Sequence, residues 1–154
     1  MRIRTYEKGD TEELMQLFYD TVHEVNIQDY TQEQVNAWAP DNMSLEAWSE
    51  GFEDRFVYIA EEGGTISGFG ELEPNGHIAR FFCHKAFQRQ GVGSQILNQI
   101  EAQAKSLGLL RLFTEASITA RPFFEHKGFV VLSQEVVDRR GQKLMRFQME
   151  KKLR

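Results

Sequence analysis

The segment that decides the fold is Gln88-Arg89-Gln90-Gly91-Val92-Gly93, which lies between a predicted strand and a predicted helix. The strand covers residues 77–83, and the helix carries apolar side chains at helical spacing from Ile96 to Leu107. Glycines allow a backbone to approach a ligand closely, and unpaired N–H groups at a helix start carry partial positive charge. The segment therefore predicts an anion site, most naturally for a phosphate group.

Two well-known phosphate loops match this segment poorly. The stretch from Gly91 to Ile96 lacks the third glycine of the dinucleotide-binding fingerprint, and no Gly-Lys-Ser/Thr follows as in a P-loop. A Gly-x-Gly pair before a helix is weak evidence for a ligand, because ordinary helix starts also contain it. A phosphate site and a plain helix start both remain open at this point.

Outward from the loop, hydrophobic periodicity predicts further strands and helices. Residues 56–60, 66–72 and 77–83 are predicted to form an antiparallel meander, because turn residues separate them. The predicted elements after the helix are a strand at 110–115, a short helix that contains Pro122 and ends at Gly128, and strands at 129–137 and 143–150. No repeat or linker interrupts the pattern, so residues 1–154 are predicted to form one domain.

The part of the chain before the meander is predicted to begin with a strand at residues 3–7, where apolar residues alternate weakly, and to be helical after it. Asp10 with Glu13, and Thr31 with Gln34, match the capping pattern in which two side chains accept from backbone N–H groups at a helix start. Apolar residues at helical spacing follow each pair, and a third short helix is expected at residues 44–50.

Two spaced motifs resemble the GNAT superfamily of N-acetyltransferases. Residues 88–93 are similar to that family's acyl-CoA pyrophosphate motif, Gln/Arg-x-x-Gly-x-Gly/Ala. Residues 120–129, Ala-Arg-Pro-Phe-Phe-Glu-His-Lys-Gly-Phe, are similar to its Ala-x-x-Phe/Leu-Tyr-x-x-x-Gly-Phe. The resemblance implies an α/β fold with a central mixed, mostly antiparallel sheet of about six to seven strands flanked by helices on both faces. It also implies acetyl transfer from acetyl-CoA directly to an amine, more readily a small molecule than a protein.

The resemblance further implies which residues bind acetyl-CoA. Backbone N–H groups of the glycine loop are expected to hold the pyrophosphate. The strand around Phe81 and Cys83 is expected to separate from its neighbour and to pair with the pantetheine amides and the thioester carbonyl. Ser117 stands where relatives often carry an Asn that contacts the cofactor. The full expected set is Phe81, Cys83, Gln88, Arg89, Gln90, Gly91, Val92, Gly93, Ser94, Ser117 and Phe124.

The general acid of the family is missing from the second motif. Phe124 replaces the usual Tyr, and a phenyl ring cannot donate a proton. A water molecule or the hydroxyl of Ser117, Tyr30 or Tyr58 could protonate the departing thiolate, or no acid is used. A thiolate with a pKa near 8.5 leaves at pH 7 with a penalty of only about 2 kcal/mol, so the reaction tolerates a weak acid. An alternative is an acyl-CoA sensor with weak or no turnover.

His77 is the first candidate for the general base. It precedes Gln88 by eleven residues, the offset at which the histone-acetylating branch of the family carries its catalytic Glu. An imidazole with a pKa near 6.5 accepts a proton at neutral pH. Glu71 and Glu73 are the rival bases. A covalent route through Cys83 is disfavoured, because the neighbouring His84 points to the opposite face of a strand.

Charge is distributed unevenly along the chain. The net charge is -5, but residues 1–79 hold 4 basic and 17 acidic side chains, whereas residues 80–154 hold 14 basic and 6 acidic ones. The basic part contains the predicted loop, where Arg80, Lys85 and Arg89 are expected to favour a polyanionic nucleotide. The acidic part is expected to frame a cationic acceptor, with Tyr30 and Trp38 as its aromatic contacts.

Composition excludes several classes of protein. A net negative charge argues against a general nucleic-acid binder. The single cysteine excludes an internal disulfide and a metal site of paired cysteines, so no metal is expected. No apolar run reaches signal-peptide or membrane-span length, which predicts a cytoplasmic protein without a membrane partner. A homodimer is compatible with this composition.

Overall fold

A seven-stranded sheet with the strand order β1-β2-β3-β4-β5-β7-β6 forms the centre of the molecule. The computed structural model describes residues 1–88 and 90–154, so Arg89, one of the predicted cofactor-binding residues, lies outside the described residues. The strands are β1 (Arg2–Thr5), β2 (Phe56–Glu62), β3 (Thr65–Leu72), β4 (His77–Cys83), β5 (Arg111–Ser117), β6 (Val130–Arg139) and β7 (Gln142–Lys152). The helices are α1 (Thr11–Glu24), α2 (Gln32–Trp38), α3 (Leu45–Gly51), α4 (Val92–Ser106) and α5 (Arg121–His126).

The pairing of the strands confirms the predicted fold class. Strands β1 to β4 pair antiparallel in order, which includes the predicted meander of β2, β3 and β4. Strand β5 pairs parallel with β4 and antiparallel with β7, and β7 pairs antiparallel with β6. The sheet is therefore mixed and mostly antiparallel, with one parallel junction between β4 and β5.

Each face of the sheet is covered by helices and has its own apolar core. On one face, Ile96 and Ile100 of α4 and Phe124 of α5 pack in a cluster with strand residues. On the other face, Leu14 and Val22 of α1 pack in a second cluster with α2, α3 and the opposite side of the strands. Because successive side chains of a strand point to opposite faces of the sheet, the same strands contribute apolar residues to both cores.

The helix starts show which capping predictions were right. Thr31 and Gln34 form the predicted reciprocal cap of α2. The prediction that Asp10 and Glu13 cap α1 was wrong. Asp10 accepts from the Glu7 N–H at 2.8 Å and from Arg4, and so caps a short 3-10 turn that precedes α1. Glu13 instead accepts from the backbone N–H of Ile66 at 2.9 Å. Arg4 of β1 binds the carboxylate of Asp10, which sequence spacing alone assigns to the cap of α1.

Candidate active site

A cleft opens where β4 and β5 part. Among the described residues, only two pairs join these strands, His77 with Phe113 and Ile78 with Thr114. Beyond them β4 continues to Cys83 and β5 continues to Ser117 without pairing to each other. The edge of each strand thus presents backbone N–H and C=O groups to the opening. The predicted separation of the strand around Phe81 and Cys83 is present.

The start of α4 lies at this opening. Gly91 precedes the helix with φ at 82°, a left-handed conformation that favours glycine, and its carbonyl accepts the first helical bond from the Gln95 N–H at 3.1 Å. The N–H groups of Val92, Gly93 and Ser94 therefore have no partner within the helix. All three residues, with Gly91, line the cleft. The helix has 15 residues, so these N–H groups lie at the positive end of a full macrodipole.

The two glutamines of the predicted loop form side-chain hydrogen bonds to backbone carbonyl groups. The Gln88 side chain donates to the carbonyl of Cys83 at 2.6 Å, and the Gln90 side chain donates to the carbonyl of Ala86 at 3.2 Å. The Val92 side chain is buried against β3, so its backbone alone faces the cleft. Gln88 thus fixes the end of β4 relative to the loop.

Two phenylalanines form the wall of the cleft beside the loop. The ring of Phe123 approaches Gly93 so closely that a Cβ there would lie 3.0 Å from its Cε1 atom. Phe124 is buried and packs edge-on against Phe81, with ring centroids 5.5 Å apart. Phe124 therefore contributes an apolar surface and no proton donor.

Cys83 lies on the same side of β4 as Phe81, against the cluster that includes α4. Burial raises the pKa of its thiol to about 11. A thiol with so high a pKa is almost entirely protonated at neutral pH and is a weak nucleophile. The side chain is accordingly a small apolar wall residue, in agreement with the argument against a covalent route.

The Ser117 hydroxyl, at the end of β5, lines the cleft and accepts two hydrogen bonds. The Ala120 N–H donates to its Oγ at 3.0 Å, and the Asn26 side-chain amide donates at 3.3 Å. Because both lone pairs are occupied, the hydroxyl proton is the group left to donate.

The tyrosines considered as acids have different surroundings. The Tyr30 hydroxyl donates to the carbonyl of Met145 at 2.7 Å and accepts from the Ile118 N–H at 2.9 Å, so both of its roles are used. Tyr58 is buried in the cluster beneath α4, and burial raises the pKa of its phenol. Tyr30 and Trp38, the two residues predicted to contact the acceptor, both line the cleft, with ring centroids 5.4 Å apart.

His77 is held between two carboxylates. Its Nε2 lies 2.8 and 3.0 Å from the two carboxylate oxygens of Glu115, and its Nδ1 contacts Glu73. The hydrogen bond to Glu115 is the main cause that raises the pKa of His77, and it lowers the pKa of Glu115. Both ring nitrogens thus lie against carboxylates, and the raised pKa favours the protonated form of the ring. This arrangement disfavours His77 as a base, whereas Glu115 itself lines the cleft.

Glu71 is equally engaged. Its side chain is fully buried and accepts from Arg55 at 2.6 Å and from Arg80 at 2.5 and 3.1 Å. The carboxylate therefore acts as an anchor for two guanidinium groups. The Arg80 guanidinium carbon also lies 3.7 Å from the ring centroid of Trp48, on the opposite face of β4 from Phe81.

The expectation that Arg80 flanks the glycine loop was therefore wrong. Strand alternation directs Arg80 and Phe82 to the face covered by α1 to α3, while Phe81 and Cys83 face α4. Sequence reasoning also missed Glu115 as a cleft residue. The two-residue spacing of Glu115 and Ser117 on one strand is the signal that could have found Glu115.

A mixed sheet that opens between two parallel strands, with a glycine-led helix start at the opening, defines an acetyltransferase that uses an acyl-CoA donor. The chain belongs to the family described as Acetyltransferase (GNAT) domain, whose profile matches residues 26–153. Acetyl-CoA is the co-substrate of this family. Among the described residues, no helix is long and apolar enough to cross a membrane.

Individual relatives agree with this membership. The chain is 31% identical over 153 residues to the uncharacterized N-acetyltransferase YafP of Escherichia coli (strain K12), covering 99% of this chain and 96% of that protein. A GCN5-related N-acetyltransferase from Rhodopseudomonas palustris superimposes with a TM-score of 0.95 at 26% identity, over 99% of this chain and 95% of that one. PaiA N-acetyltransferase from Thermoplasma acidophilum, in complex with coenzyme A, shares the fold with a TM-score of 0.77 at 22% identity, over 99% and 98% of the two chains.

Proposed function

We propose that this chain transfers the acetyl group of acetyl-CoA directly to a small-molecule amine. The observation that carries the proposal is the opening between β4 and β5, which lies beside the start of α4 in one continuous cleft. That arrangement offers strand-edge groups to an extended amide chain and helix N–H groups to a pyrophosphate. The coenzyme A complex of the Thermoplasma relative supports the proposal, because that protein has the same fold.

The shape of the acceptor side favours a small molecule. Residues from α1, α2 and α3 line the cleft on one side, and Arg139 and Arg140 at the β6–β7 hairpin line it on the other. Arg140 donates to the carbonyl of Ala37 at 2.5 Å and so joins the hairpin to α2. An acceptor side bounded by these elements suits a compact acceptor better than an extended polypeptide.

The residues present fit acetyl-CoA. The N–H groups of Val92, Gly93 and Ser94 would hold the pyrophosphate, and the free edge of β4 beyond Ile78 would pair with the pantetheine amides and polarise the thioester carbonyl. When bound, acetyl-CoA supplies the activated acetyl group. The aromatic wall of Phe81 and Phe123 would exclude water from the thioester.

Glu115 orients the amine. An alkylammonium with a pKa near 10.4 must lose its proton before it attacks, which costs about 4 to 5 kcal/mol at pH 7. The carboxylate of Glu115 stays ionised because His77 lowers its pKa, so it attracts the ammonium form and accepts a hydrogen bond from the amine. The proton then leaves to water. His77 and Glu73 are positioning residues in this scheme, and no residue of high basicity is required.

Ser117 stabilises the departing thiolate. The amine nitrogen forms a bond to the acetyl carbon and loses a second proton to water, the carbon–sulfur bond breaks, and the sulfur carries the released electron pair. The Ser117 hydroxyl, with its lone pairs occupied by Ala120 and Asn26, donates a hydrogen bond towards that charge. Its proximity to the cleft makes it the donor that replaces the missing tyrosine.

Two measurements on the purified chain test the proposal. At about 100 times its dissociation constant, acetyl-CoA should stabilise the fold by about 2.7 kcal/mol, which for this size raises the melting temperature by about 5 to 10 °C. Thiol release in the presence of a panel of primary amines should then identify at least one acceptor. No stabilisation by acetyl-CoA would refute the proposal, whereas stabilisation without thiol release for any amine would indicate the acyl-CoA sensor.

A further inference from the structure

The acceptor side of the cleft contains a fixed guanidinium group whose purpose the transfer reaction itself does not explain. We propose that the acceptor is a small amine that carries a carboxylate and an apolar side chain, as an apolar or aromatic amino acid does, and that Arg80 binds the carboxylate. This inference rests on the proposed function and names the substrate class of the same site.

Arg80 is held in place from two directions. Its Nε and Nη2 atoms donate to the two oxygens of Glu71 at 2.5 and 3.1 Å, and its guanidinium plane lies over the ring of Trp48. Glu71 is fully buried, and a buried ion pair is often no more stabilising than apolar residues of the same volume. What such a pair does provide is a guanidinium of fixed orientation.

The remaining edge of this guanidinium is available to a ligand. Nη1 of Arg80 has no hydrogen-bond acceptor among the residues that the structure describes, although Arg80 lines the cleft. A guanidinium with one edge already bound can still offer its other edge to a carboxylate through two parallel hydrogen bonds. Because the group is preorganised, little side-chain entropy is lost when it binds.

The charges that line the cleft favour an acidic substituent over a cationic one. Of the 17 acidic residues that precede Arg80, two line the cleft, Glu24 and Asp29. Among the described residues, Arg80, Arg139, Arg140 and Arg146 line it, whereas Glu115 is the one acidic residue of the second half that does. The acidic character of the first half of the chain therefore lies mostly elsewhere on the surface. The earlier expectation of a cationic acceptor rested on sequence totals that the cleft does not share.

The same side of the cleft is aromatic. Its lining includes Phe18, Tyr30, Trp38, Trp48 and Phe82. Phe82 packs edge-on against Phe18 with ring centroids 5.0 Å apart, and both lie on the face of the sheet that carries Arg80. An apolar or aromatic side chain would bury its surface there, while Glu115 receives the amine.

The position of Arg80 along β4 also suits a residue that binds the acceptor. It follows by two residues the last pair that joins β4 to β5, where the sheet opens. The pairing of β3 with β4 is irregular between Leu72 and Gly70, which indicates a bulge opposite Glu71. A carboxylate bound at Arg80 would hold the amine of the same molecule close to the opening, where the proposed function requires it.

The test compares acceptors that differ only in the acid group. Thiol release from acetyl-CoA is measured with L-phenylalanine, L-leucine and L-methionine, with their amides, and with the corresponding amines that lack the carboxylate. Each kcat/KM is corrected for the fraction of free amine. The inference predicts that at least one free acid exceeds its amide and its decarboxylated amine by ten-fold or more. Equal values across each set, or turnover of amines without any free acid, would overturn it.

Arg80→Gln and Arg80→Lys then assign the preference to this residue. Both variants should raise KM for the best free acid by ten-fold or more while leaving kcat/KM for the decarboxylated amine within two-fold. Arg2→Gln, which changes an exposed arginine at the start of β1 outside the cleft lining, is the matched control and should leave the preference intact. A loss shared equally by acids and plain amines would mean that Arg80 is only structural.

The outcome separates this inference from the proposed function. If acetyl-CoA stabilises the chain and only amines without a carboxylate are acetylated, the proposed function stands and the inference fails. If acetyl-CoA neither binds nor is consumed, both fail. If an Arg80 variant does not fold, the comparison of acceptors on the unaltered chain still decides between acid and plain amine.

Discussion

At the residue scale, His77 links stability to pH. Its pKa is raised in the folded state, so its contribution to stability is complete below about pH 6.5, the pKa of an unfolded histidine, and is lost as pH rises through the folded pKa. The free energy of unfolding of the native chain should therefore exceed that of His77→Gln by the largest amount near pH 6 and by progressively less towards pH 9. Urea denaturation at several pH values measures this difference.

The control for this measurement is His126, which is exposed at the end of α5. No described residue forms a hydrogen bond with its side chain, so His126→Gln should leave the pH dependence unchanged. A difference between the native chain and His77→Gln that stays constant from pH 6 to pH 9 would contradict the ion pairs with Glu115 and Glu73.

Ser117 allows a second prediction about a single side chain. Ser117→Ala should lower kcat by about ten-fold, because the departing thiolate loses its hydrogen-bond donor. The loss is limited to roughly 30-fold, since a leaving thiolate is uphill by only about 2 kcal/mol at pH 7. KM for acetyl-CoA should stay within two-fold, and Ser117→Thr should retain most of the activity. An unchanged kcat in Ser117→Ala would assign protonation of the thiolate to water.

At the element scale, α4 packs so closely on β3 that a glycine is required. A Cβ added at Gly70 would lie 2.8 Å from Cγ2 of Ile96 and 3.0 Å from Cδ1 of Ile100. Gly70→Ala should therefore lower the free energy of unfolding by about 1 to 3 kcal/mol, the usual cost of overpacking a core. In an Ile96→Ala background the same substitution should cost less, because the closest atom is gone.

Gly64→Ala is the matched control for a glycine on the same hairpin. It lies in the turn between β2 and β3 with φ at 85° and nothing within 4 Å of its added Cβ, so its cost is one of backbone conformation alone. That cost should not change in the Ile96→Ala background. Equal costs of Gly70→Ala with and without Ile96 would show that packing against α4 is not the constraint.

The strands and helices could be predicted from the sequence, whereas many contacts between them could not. Periodicity and turn residues predict every helix and every strand, including β1 at residues 3–7 against Arg2–Thr5 in the structure, because each element buries one apolar face against the sheet. The glycine loop and the separation of β4 were also predictable, the second only through the family resemblance. What local patterns cannot predict are contacts between residues far apart in sequence, such as Glu13 with the Ile66 N–H or His77 with Glu115.

His77 illustrates the physical reason. In sequence it is an isolated histidine after a turn, with the ordinary pKa that suits a base. Glu115, 38 residues later, contacts it because β5 lies beside β4 in the parallel junction, and this contact is the reason that we propose His77 as a positioning residue. The direction of Arg80 was misjudged for a related reason, since its partner Trp48 comes from a helix on the far face of the sheet.

At the scale of the whole molecule, the sheet consists of two parts joined by a short seam. Strands β1 to β4 form one part and β5 to β7 form the other, and among the described residues only two pairs connect β4 with β5. Each part has longer ladders of its own; β5 and β7, for example, share seven pairs. The cleft lies along this seam, so a ligand that fills it contacts both parts.

This architecture predicts how acetyl-CoA should change amide exchange. A pantetheine arm between β4 and β5 should protect the strand-edge amides of residues 79–83 and 115–117 from hydrogen exchange, whereas the interior of β2 and β3 should change little. Hydrogen exchange with mass-spectrometric detection measures this. Adenosine 3′,5′-bisphosphate, which lacks the arm, is the matched ligand and should protect the start of α4 without protecting the seam. Equal protection of the seam by both ligands would mean that nucleotide binding alone closes the two parts, and that the open strand edges do not receive the pantetheine.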